Sequence, residues 1–334
     1  MVRNIVILGG NSHPQLVQEI SHNLGVPPCQ RILCKFSVGE SRLEIQDSVR
    51  GKDVYIIQSG GGKVNDHFID LCIMISACKT GSARRNTGLH FTTHDYENPS
   101  MISEAKNIFR AKPGYKQWVA QAGTLVADLL TCAGADHIIT LDLHDPQYQG
   151  FFDIPVDNLY GKSLLKKYIQ EKIPGYKDAV IVSPDAGGAK RATSIADDLN
   201  MEFALIHKER RPTRITERQN ATMMLVGDVA NRTALLIDDL VDTSNTITRA
   251  AKLLKREGAV KVYALLTHGV FSGNAIPRIN ASALDKVIVT SSIPQSVNQR
   301  ICPKLEVLEI GPLFAEAIRR TNHGESISSL FRDQ

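Results

Sequence analysis

A strand-like apolar run is followed by carboxyl, hydroxyl and amide side chains at residues 238–246. The run Leu-Leu-Ile at 235–237 leads into Asp-Asp-Leu-Val-Asp-Thr-Ser-Asn-Thr, and a helical pattern continues to Glu257. Ligands of open α/β sheets bind where the strands end, and the first N–H groups of a helix attract phosphate. Carboxylates beside such a cradle can accept hydrogen bonds from sugar hydroxyls. The pattern therefore predicts a sugar-phosphate site. An acidic loop with Thr243 or Ser244 as an ordinary helix cap is the alternative.

A second polar group follows the apolar run His-Ile-Ile-Thr-Leu at 137–141. Side chains alternate along a strand, so Asp142 and His144 are expected on one face. A carboxylate and an imidazole at a strand end could ligate a divalent cation, directly or through water. A structural role for His144 is the alternative.

Two further segments place charges next to predicted strands. Ser-Pro-Asp-Ala-Gly-Gly-Ala-Lys-Arg at 183–191 has the pattern of a strand, a glycine-rich turn and a helix. Its glycines permit close approach of a ligand, and Asp185 could contact Mg²⁺ there. His-Lys-Glu-Arg-Arg-Pro-Thr-Arg at 207–214 is a basic run, for which a solvated loop or a nucleic-acid contact are alternatives. Aromatic residues for base stacking are absent from this run, which disfavours nucleic acid.

Apolar segments that alternate with helical ones must position these groups. We predict strands at residues 5–8, 53–58, 137–141, 179–182, 203–206, 233–239, 260–267 and 286–289. We predict helices at residues 14–24, 66–79, 116–132, 189–199 and 313–319, and one that ends near Gly258. Continuous apolar strands of this kind predict an α/β fold with parallel sheets covered on both faces. Between Ala83 and Ala111 no apolar run is longer than one or two residues, which predicts a polar loop.

The composition is that of a globular protein. The chain has 334 residues, 43% of them apolar and 22% charged. The apolar N-terminal run is far shorter than the roughly 18 residues of a membrane span. The six cysteines form no Cys-x-x-Cys pair, which favours free thiols. The net charge of +4 does not by itself indicate nucleic-acid binding. We therefore expect a cytoplasmic protein with neither nucleic acid nor a membrane as partner.

Taken together, these segments resemble the PRPP synthetase (ribose-phosphate diphosphokinase) family, in its fungal-type eukaryotic form. Residues 238–246 are similar to the signature that this family shares with phosphoribosyltransferases. Gln-Gly-Phe-Phe-Asp-Ile-Pro-Val-Asp-Asn-Leu-Tyr at 149–160 is similar to a second family segment, and residues 11–13, 49–60 and 315–320 also match. The resemblance extends from about Asn4 to Phe331.

The resemblance implies a fold and an activity. It implies two related phosphoribosyltransferase-like domains, the first at residues 1–160 with 312–334 packing back on it, and the second at 161–311. The implied enzyme transfers the diphosphoryl group of ATP to ribose 5-phosphate, which gives PRPP and AMP. Mg²⁺ is the implied cofactor, and a homo- or hetero-oligomer of PRPP synthetase subunits is the implied assembly.

The resemblance also implies roles for individual residues. Ribose 5-phosphate or PRPP would be bound by Asp238, Asp239, Asp242, Thr243, Ser244, Asn245 and Thr246. Metal ions would be held by Asp142, His144, Asp153, Asp157 and Asp185. ATP would be contacted by Phe36, Glu40 and His144. The catalytic residues would be Lys208 and Arg210, on a loop that closes over the transferring diphosphoryl group.

Three places depart from the family pattern. Asn245 stands where glycine is common, and Asn tolerates left-handed backbone better than most residues. Val38 stands where the family has Asn next to adenine, and residues 86–111 replace a strand and an Arg-Gln pair that binds ATP. Because two of these departures concern ATP, the alternative hypothesis is a catalytically weak regulatory subunit in a hetero-oligomer. A phosphoribosyltransferase, which shares only the 238–246 motif, is a third interpretation.

Overall fold

The structure is a computed structural model that describes residues 4–91, 122–209 and 222–330. The chain divides into two compact units. Unit 1 comprises Met1–Tyr160, Ser292–Pro294 and Glu309–Gln334, and unit 2 comprises Gly161–Ser291 and Gln295–Leu308. Along the described residues, no helix is both long and apolar enough to cross a membrane.

Unit 1 contains a parallel sheet with the strand order β1-β4-β5-β6-β7. Its strands are β1 (Ile5–Gly9), β4 (Asp53–Ser59), β5 (Arg85–Phe91), β6 (His137–Leu141) and β7 (Val156–Leu159). Its helices are α1 (Pro14–Leu24), α2 (Val64–Thr80), α3 (Ala122–Ala133) and α9 (Gly311–His323). Alternate residues of β1 and β4 pack with α2 and α3 in one apolar core, whereas α1 and α9 pack against each other. A separate antiparallel ribbon consists of β2 (Arg31–Lys35) and β3 (Ser41–Ile45).

Unit 2 contains a larger sheet with the order β10-β9-β8-β11-β12-β13-β14, parallel except for the β9–β10 pair. Its strands are β8 (Val180–Ser183), β9 (Glu202–Glu209), β10 (Thr222–Val226), β11 (Thr233–Val241), β12 (Lys261–Gly269), β13 (Lys286–Thr290) and β14 (Leu305–Leu308). Its helices are α4 (Lys162–Lys172), α5 (Ala189–Leu199), α6 (Asn245–Arg256), α7 (Ala275–Asn280) and α8 (Ser296–Ile301). Separate apolar cores lie on the two faces of β11, one with α6 and α7 and the other with α4 and α5.

The predicted α/β class with mostly parallel sheets is confirmed. Local signals set several boundaries: α1 begins with Pro14 after His13, whose Nδ1 accepts the N–H of Leu16, and it ends at Gly25, which has a φ of 66°. Helix α3 begins at Ala122, and the earlier start predicted at Lys116 lies outside the described residues. The ribbon β2–β3, the short strands β7, β10 and β14, and helices α4, α7 and α8 were not predicted.

The polar loop predicted after Ala83 is wrong for residues 85–91, which form β5. This strand lies between β4 and β6 and pairs in parallel with both. The polar side chain of Asn86 can be buried in this strand because its amide donates a hydrogen bond to the Gly134 carbonyl at 3.3 Å. Gly88 packs closely on β6, since an added Cβ would lie 3.2 Å from Cδ1 of Ile138. Backbone pairing on two sides therefore makes a strand out of a sequence that lacks an apolar run.

Leu89 tests this strand, because it is fully buried in β5. If β5 is a central strand, Leu89→Ala should lower the free energy of unfolding by about 2–5 kcal/mol, since the substitution leaves a cavity. Urea denaturation followed by circular dichroism measures this loss. Leu125→Ala is the matched control, because 57% of Leu125 is exposed on α3, and it should change stability by less than about 0.5 kcal/mol. Equal losses in the two variants would contradict a buried β5.

Candidate active site

The loop between β11 and α6 has the features of an anion site. Val241 ends β11 and Asn245 begins α6, so the β11–α6 loop consists of residues 242–244. Ser244 is 97% buried, adopts the left-handed conformation with a φ of 63°, and makes no side-chain cap. Among the described residues, its Oγ and the Oδ1 of Asp242 are buried without a hydrogen-bond partner. Buried polar atoms without partners are costly, so these two atoms point to a ligand rather than to the ordinary cap.

The remaining residues of the motif lie in the loop or in the first turn of α6. The Nδ2 of Asn245 donates to Oγ1 of Thr243 at 3.2 Å, and Thr246 is the second helical residue. The left-handed position that we considered for Asn245 belongs instead to Ser244, because Asn245 already has helical geometry as the first residue of α6. An asparagine at 245 therefore places no strain on the backbone.

Two carboxylates lie side by side at the end of β11. The N–H of Asp239 donates to Oδ1 of Asp238 at 3.0 Å. Arg191, from the first turn of α5, places Nη2 3.2 Å from Oδ2 of Asp239 and Nη1 4.0 Å from Oδ1 of Asp238. Burial, together with the negative charges of Asp239 and Asp185, holds the pKa of Asp238 well above its usual range, and Arg191 only partly offsets this. The negative charge of Asp238 is therefore unfavourable in this environment, and hydrogen-bond donors or a cation would stabilise it.

The turn between β8 and α5 closes on the same carboxylates. Oδ1 of Asp185 accepts the N–H groups of Gly187 and Gly188 at 3.0 and 3.2 Å. The Oγ of Ser183 donates to the Asp185 carbonyl at 2.7 Å. An added Cβ on Gly188 would lie 3.5 Å from Oδ1 of Asp238. The structure thus brings Asp185 next to Asp238 and Asp239, which are more than 50 residues later in the sequence.

The predicted metal ligands of unit 1 lie at several places along strands β6 and β7 and the segment between them. Asp142 follows the end of β6 with a φ of 43°, so strand alternation does not relate it to His144, and the reason that we gave for a shared face is wrong. Asp157 contacts His137 at the start of β6, with 2.8 Å between Oδ2 and Nε2, and Asp153 is exposed. Within the parts of the chain that the structure describes, no group of three His, Cys, Asp or Glu side chains is arranged to hold a metal ion.

The predicted adenine contacts lie at the tip of the β2–β3 ribbon. The N–H of Phe36 donates to the Glu40 carbonyl at 2.8 Å, and Gly39 completes the turn with a φ of 90°. Phe36 is 48% exposed and Val38 is 83% exposed. An aromatic side chain held outward in this way can stack on a planar base.

The base of this ribbon is fixed to α2. Nζ of Lys35 donates to Oγ of Ser41 at 2.7 Å, and this hydroxyl donates to Oδ1 of the buried Asp70 at 2.6 Å. Lys35 also lies 3.4 Å from Oδ1 of Asp66. The exposed tip of the ribbon therefore extends from a base that hydrogen bonds and an ion pair attach to α2.

The predicted catalytic cations lie at the edge of the described structure. The backbone of Lys208 pairs with Met223 between β9 and β10, and Arg210 lies outside the described residues. By contrast, Arg191 has a clear place in the site and was not predicted. Its position three residues after Gly188 is the signal that could have indicated it, because the first turn of α5 faces the end of β11.

Comparisons with known proteins agree with this geometry. Residues 5–89 match the N-terminal domain of ribose phosphate pyrophosphokinase, and residues 210–332 match the phosphoribosyl synthetase-associated domain. Ribose-phosphate pyrophosphokinase 5 of Schizosaccharomyces pombe is 51% identical over 341 residues, which cover 99% of this chain and 98% of that protein. The crystal structure of phosphoribosylpyrophosphate synthetase from Mycobacterium smegmatis superposes with a TM-score of 0.84 at 36% identity and covers 96% of this chain and 100% of that one.

The fold and these matches define the class as a transferase of PRPP biosynthesis. The chain belongs to the ribose-phosphate pyrophosphokinase, or PRPP synthetase, family. A phosphoribosyltransferase that shares only the 238–246 motif is thereby excluded, because the match also includes the first 89 residues.

The raised pKa of Asp238 predicts a gain in stability when its charge is removed. A carboxyl group whose pKa is higher in the folded state destabilises the fold as the pH rises from its unfolded pKa, near 4, through its folded pKa. In metal-free buffer at pH 8, Asp238→Asn should therefore raise the unfolding temperature.

This gain should disappear below pH 4, where the wild-type carboxyl is protonated in both states. Differential scanning fluorimetry across pH measures both limits. Asp197→Asn is the control, because Asp197 is exposed on α5. A lower unfolding temperature of Asp238→Asn than of the wild type at pH 8 would contradict an unfavourable charge on Asp238.

Proposed function

We propose that the chain is a ribose-phosphate diphosphokinase that transfers the diphosphoryl group of ATP to ribose 5-phosphate, yielding PRPP and AMP. The observation that carries this proposal is the buried and unpartnered Oγ of Ser244 next to the paired carboxylates Asp238 and Asp239. Such a combination suits one ligand that has a phosphate at one end and hydroxyl groups at the other. The 51% identical relative is named for this activity.

In this proposal the β11–α6 loop binds the 5-phosphate. The first N–H groups of α6 and the hydroxyls of Thr243, Ser244 and Thr246 would donate to the phosphate oxygens, and the helix dipole favours the negative charge. Asp242 and Asn245 would complete the loop around it. Asp238 and Asp239 would accept hydrogen bonds from the ribose hydroxyls, and Arg191 keeps Asp239 in position at 3.2 Å.

The bound sugar presents its 1-hydroxyl to the β-phosphorus of ATP. The new bond joins O1 to this phosphorus, the bond from the phosphorus to the bridging oxygen of AMP breaks, and the hydroxyl proton is released. Lys208 and Arg210 would stabilise the charge on the transferring group, which is the main electrostatic contribution in phosphoryl transfer. Holding both substrates in line supplies the rest of the acceleration.

We propose Mg²⁺ as the cofactor. Mg²⁺ neutralises the triphosphate and is bound by one or two carboxylates together with substrate phosphates and water. Asp185 is half-buried among other carboxylates, and Asp142 is buried at a strand end. These oxygen donors fit a hard cation, and His144, Asp153 and Asp157 remain proposed as further ligands. We also propose a cytoplasmic location and the two domains 1–160 with 312–334 and 161–311.

The activity is tested with the purified chain, ATP, Mg²⁺ and ribose 5-phosphate, with AMP and PRPP quantified by chromatography. We expect equal amounts of the two products, and EDTA should lower the rate by at least about 100-fold. Ser244→Ala should raise KM for ribose 5-phosphate by about 10- to 100-fold, because it removes a hydrogen bond to a charged group. KM for ATP should stay within about twofold.

The control for this assay is Ser296→Ala, which changes an exposed serine on α8. Turnover far below that of its relatives would favour the alternative of a regulatory subunit in a hetero-oligomer. If Ser244→Ala turns over with an unchanged KM for ribose 5-phosphate, the 5-phosphate does not bind at Ser244.

We also propose that ATP is bound by Phe36 and Glu40 of a neighbouring subunit and by His144, so that the active protein is an oligomer. The exposure of the ribbon tip supports this, because 48% of Phe36 is accessible in a single chain.

Complementation between variants tests a shared site. Phe36→Ala and Asp238→Asn should each be strongly impaired, the first in ATP binding and the second in sugar binding. Random co-assembly of equal amounts would restore about a quarter of the active sites. Co-expressed and co-purified variants should therefore regain activity that the separately purified ones lack. No recovery in a verified mixed oligomer would mean that one subunit supplies both half-sites.

A further inference from the structure

The carbonyl groups around the β11–α6 loop are bound by the surrounding scaffold. The carbonyl of Val241 accepts the N–H groups of Val270 and Phe271 at 2.9 and 3.3 Å. The carbonyl of Ser244 accepts the N–H of Thr248 at 3.1 Å and its Oγ1 at 2.7 Å. These contacts fix the peptide units on both sides of the loop.

The peptide unit between them is fixed by a side chain. Nη1 of Arg278 donates to the carbonyl of Thr243. Arg278 is partly buried on α7, which packs beside α6. Among the described residues, no backbone N–H binds this carbonyl. The hydrogen bonds of the sheet and of the helix therefore do not fix the orientation of this peptide unit, and Arg278 does.

The direction of this bond has a consequence for the adjacent N–H group. In a planar trans peptide the C=O and the following N–H point in opposite directions. When Arg278 binds the Thr243 carbonyl, the N–H of Ser244 is turned to the other side of the loop. The same relation holds at Val241, whose bound carbonyl directs the N–H of Asp242 away from Val270. A loop that binds an anion needs its N–H groups inward and its carbonyls outward, because a carbonyl oxygen repels phosphate.

We propose that Arg278 is a positioning residue for the phosphate of ribose 5-phosphate, acting through the peptide unit between Thr243 and Ser244. This inference rests on the proposed function, since it assumes that the loop binds this phosphate. Arg278 does not touch the substrate. It orients the Ser244 N–H, and with it the buried Oγ, before the ligand arrives, so that the ligand does not have to order the loop on binding.

Arginine suits this role better than a neutral residue. Its guanidinium has several N–H donors in a rigid plane and remains charged. A charge-assisted hydrogen bond to a carbonyl is stronger than a neutral one. Its positive charge also lies on the outer side of a loop that receives a dianion, which favours binding without a direct contact.

The test compares Arg278→Met, Arg278→Lys and Arg300→Met. Arg300 is exposed on α8 and serves as the matched control. Arg278→Met should raise both KM and the calorimetric Kd for ribose 5-phosphate by about 10-fold, the equivalent of one charge-assisted hydrogen bond. KM for ATP should stay within about twofold. Arg278→Lys retains a charged donor and should recover part of the loss, and Arg300→Met should match the wild type.

A double variant distinguishes positioning from direct contact. If Arg278 acts through the Ser244 peptide unit, Arg278→Met already misplaces the Ser244 hydroxyl. The KM of the double variant Arg278→Met/Ser244→Ala should then exceed the larger of the two single-variant values by no more than about twofold. Losses that multiply would mean that Arg278 contacts the phosphate independently, and the positioning role would be wrong.

The remaining outcomes separate this inference from the proposed function. Wild-type protein that neither binds nor turns over ribose 5-phosphate refutes both. Wild-type activity with an unchanged KM in Arg278→Met refutes the positioning role alone. Parallel increases in KM for ATP and ribose 5-phosphate, together with a lowered unfolding temperature, would show a general structural role and would also refute it.

Discussion

Repulsion between the neighbouring carboxylates Asp238 and Asp239 is the constraint on which the site in unit 2 depends. Both lie in β11, which has an apolar core on each face, so water screens their charges less than it would at a surface. The fold offsets this repulsion with one guanidinium, that of Arg191, and with the N–H bond from Asp239 to Asp238. A third carboxylate, that of Asp185, increases the local negative charge. The carboxylates are therefore unfavourable neighbours by themselves, and hydrogen-bond donors or a cation would stabilise them.

The order of the elements explains why these groups meet. Strands β8 and β11 are adjacent and parallel, so the segments after them leave the sheet at the same edge. The turn before α5 supplies Asp185 and the first turn of α5 supplies Arg191, whereas the β11–α6 loop is the segment to which we assign the phosphate. The N-terminus of α5 thus contributes Arg191 next to Asp239, and the N-terminus of α6 follows the proposed phosphate loop.

Much of this could be predicted from sequence because it depends on short-range patterns. Apolar runs predicted strands β8, β9, β11, β12 and β13 of unit 2, and the residue types at 238–246 are the basis of the proposed sugar-phosphate site. Features that depend on distant residues were missed. Strand β5 is polar, and only β4 and β6 on either side make it a strand. The pairing of Asp157 with His137 could not be inferred from spacing, because it depends on the register between β6 and β7. Likewise, the contact of Arg278 with the loop depends on how α7 packs.

Unit 1 consists of segments from both ends of the chain, and this determines when it can be completed during synthesis. Its central strand β5 needs β6, which is made about 45 residues later, and α9 joins it from the far end of the chain. Asn322, on α9, donates to the buried Asp53 at 3.0 Å, and Asp53 in turn binds Arg84 at the start of β5. Asp53 of unit 1 can therefore pair with Arg84 early in synthesis, but it gains its second partner only when almost the whole chain has been made. The sheet of unit 2 is complete in sequence at Leu308, just before α9 begins at Gly311, so α9 is the one helix of unit 1, among the described residues, that is made after unit 2.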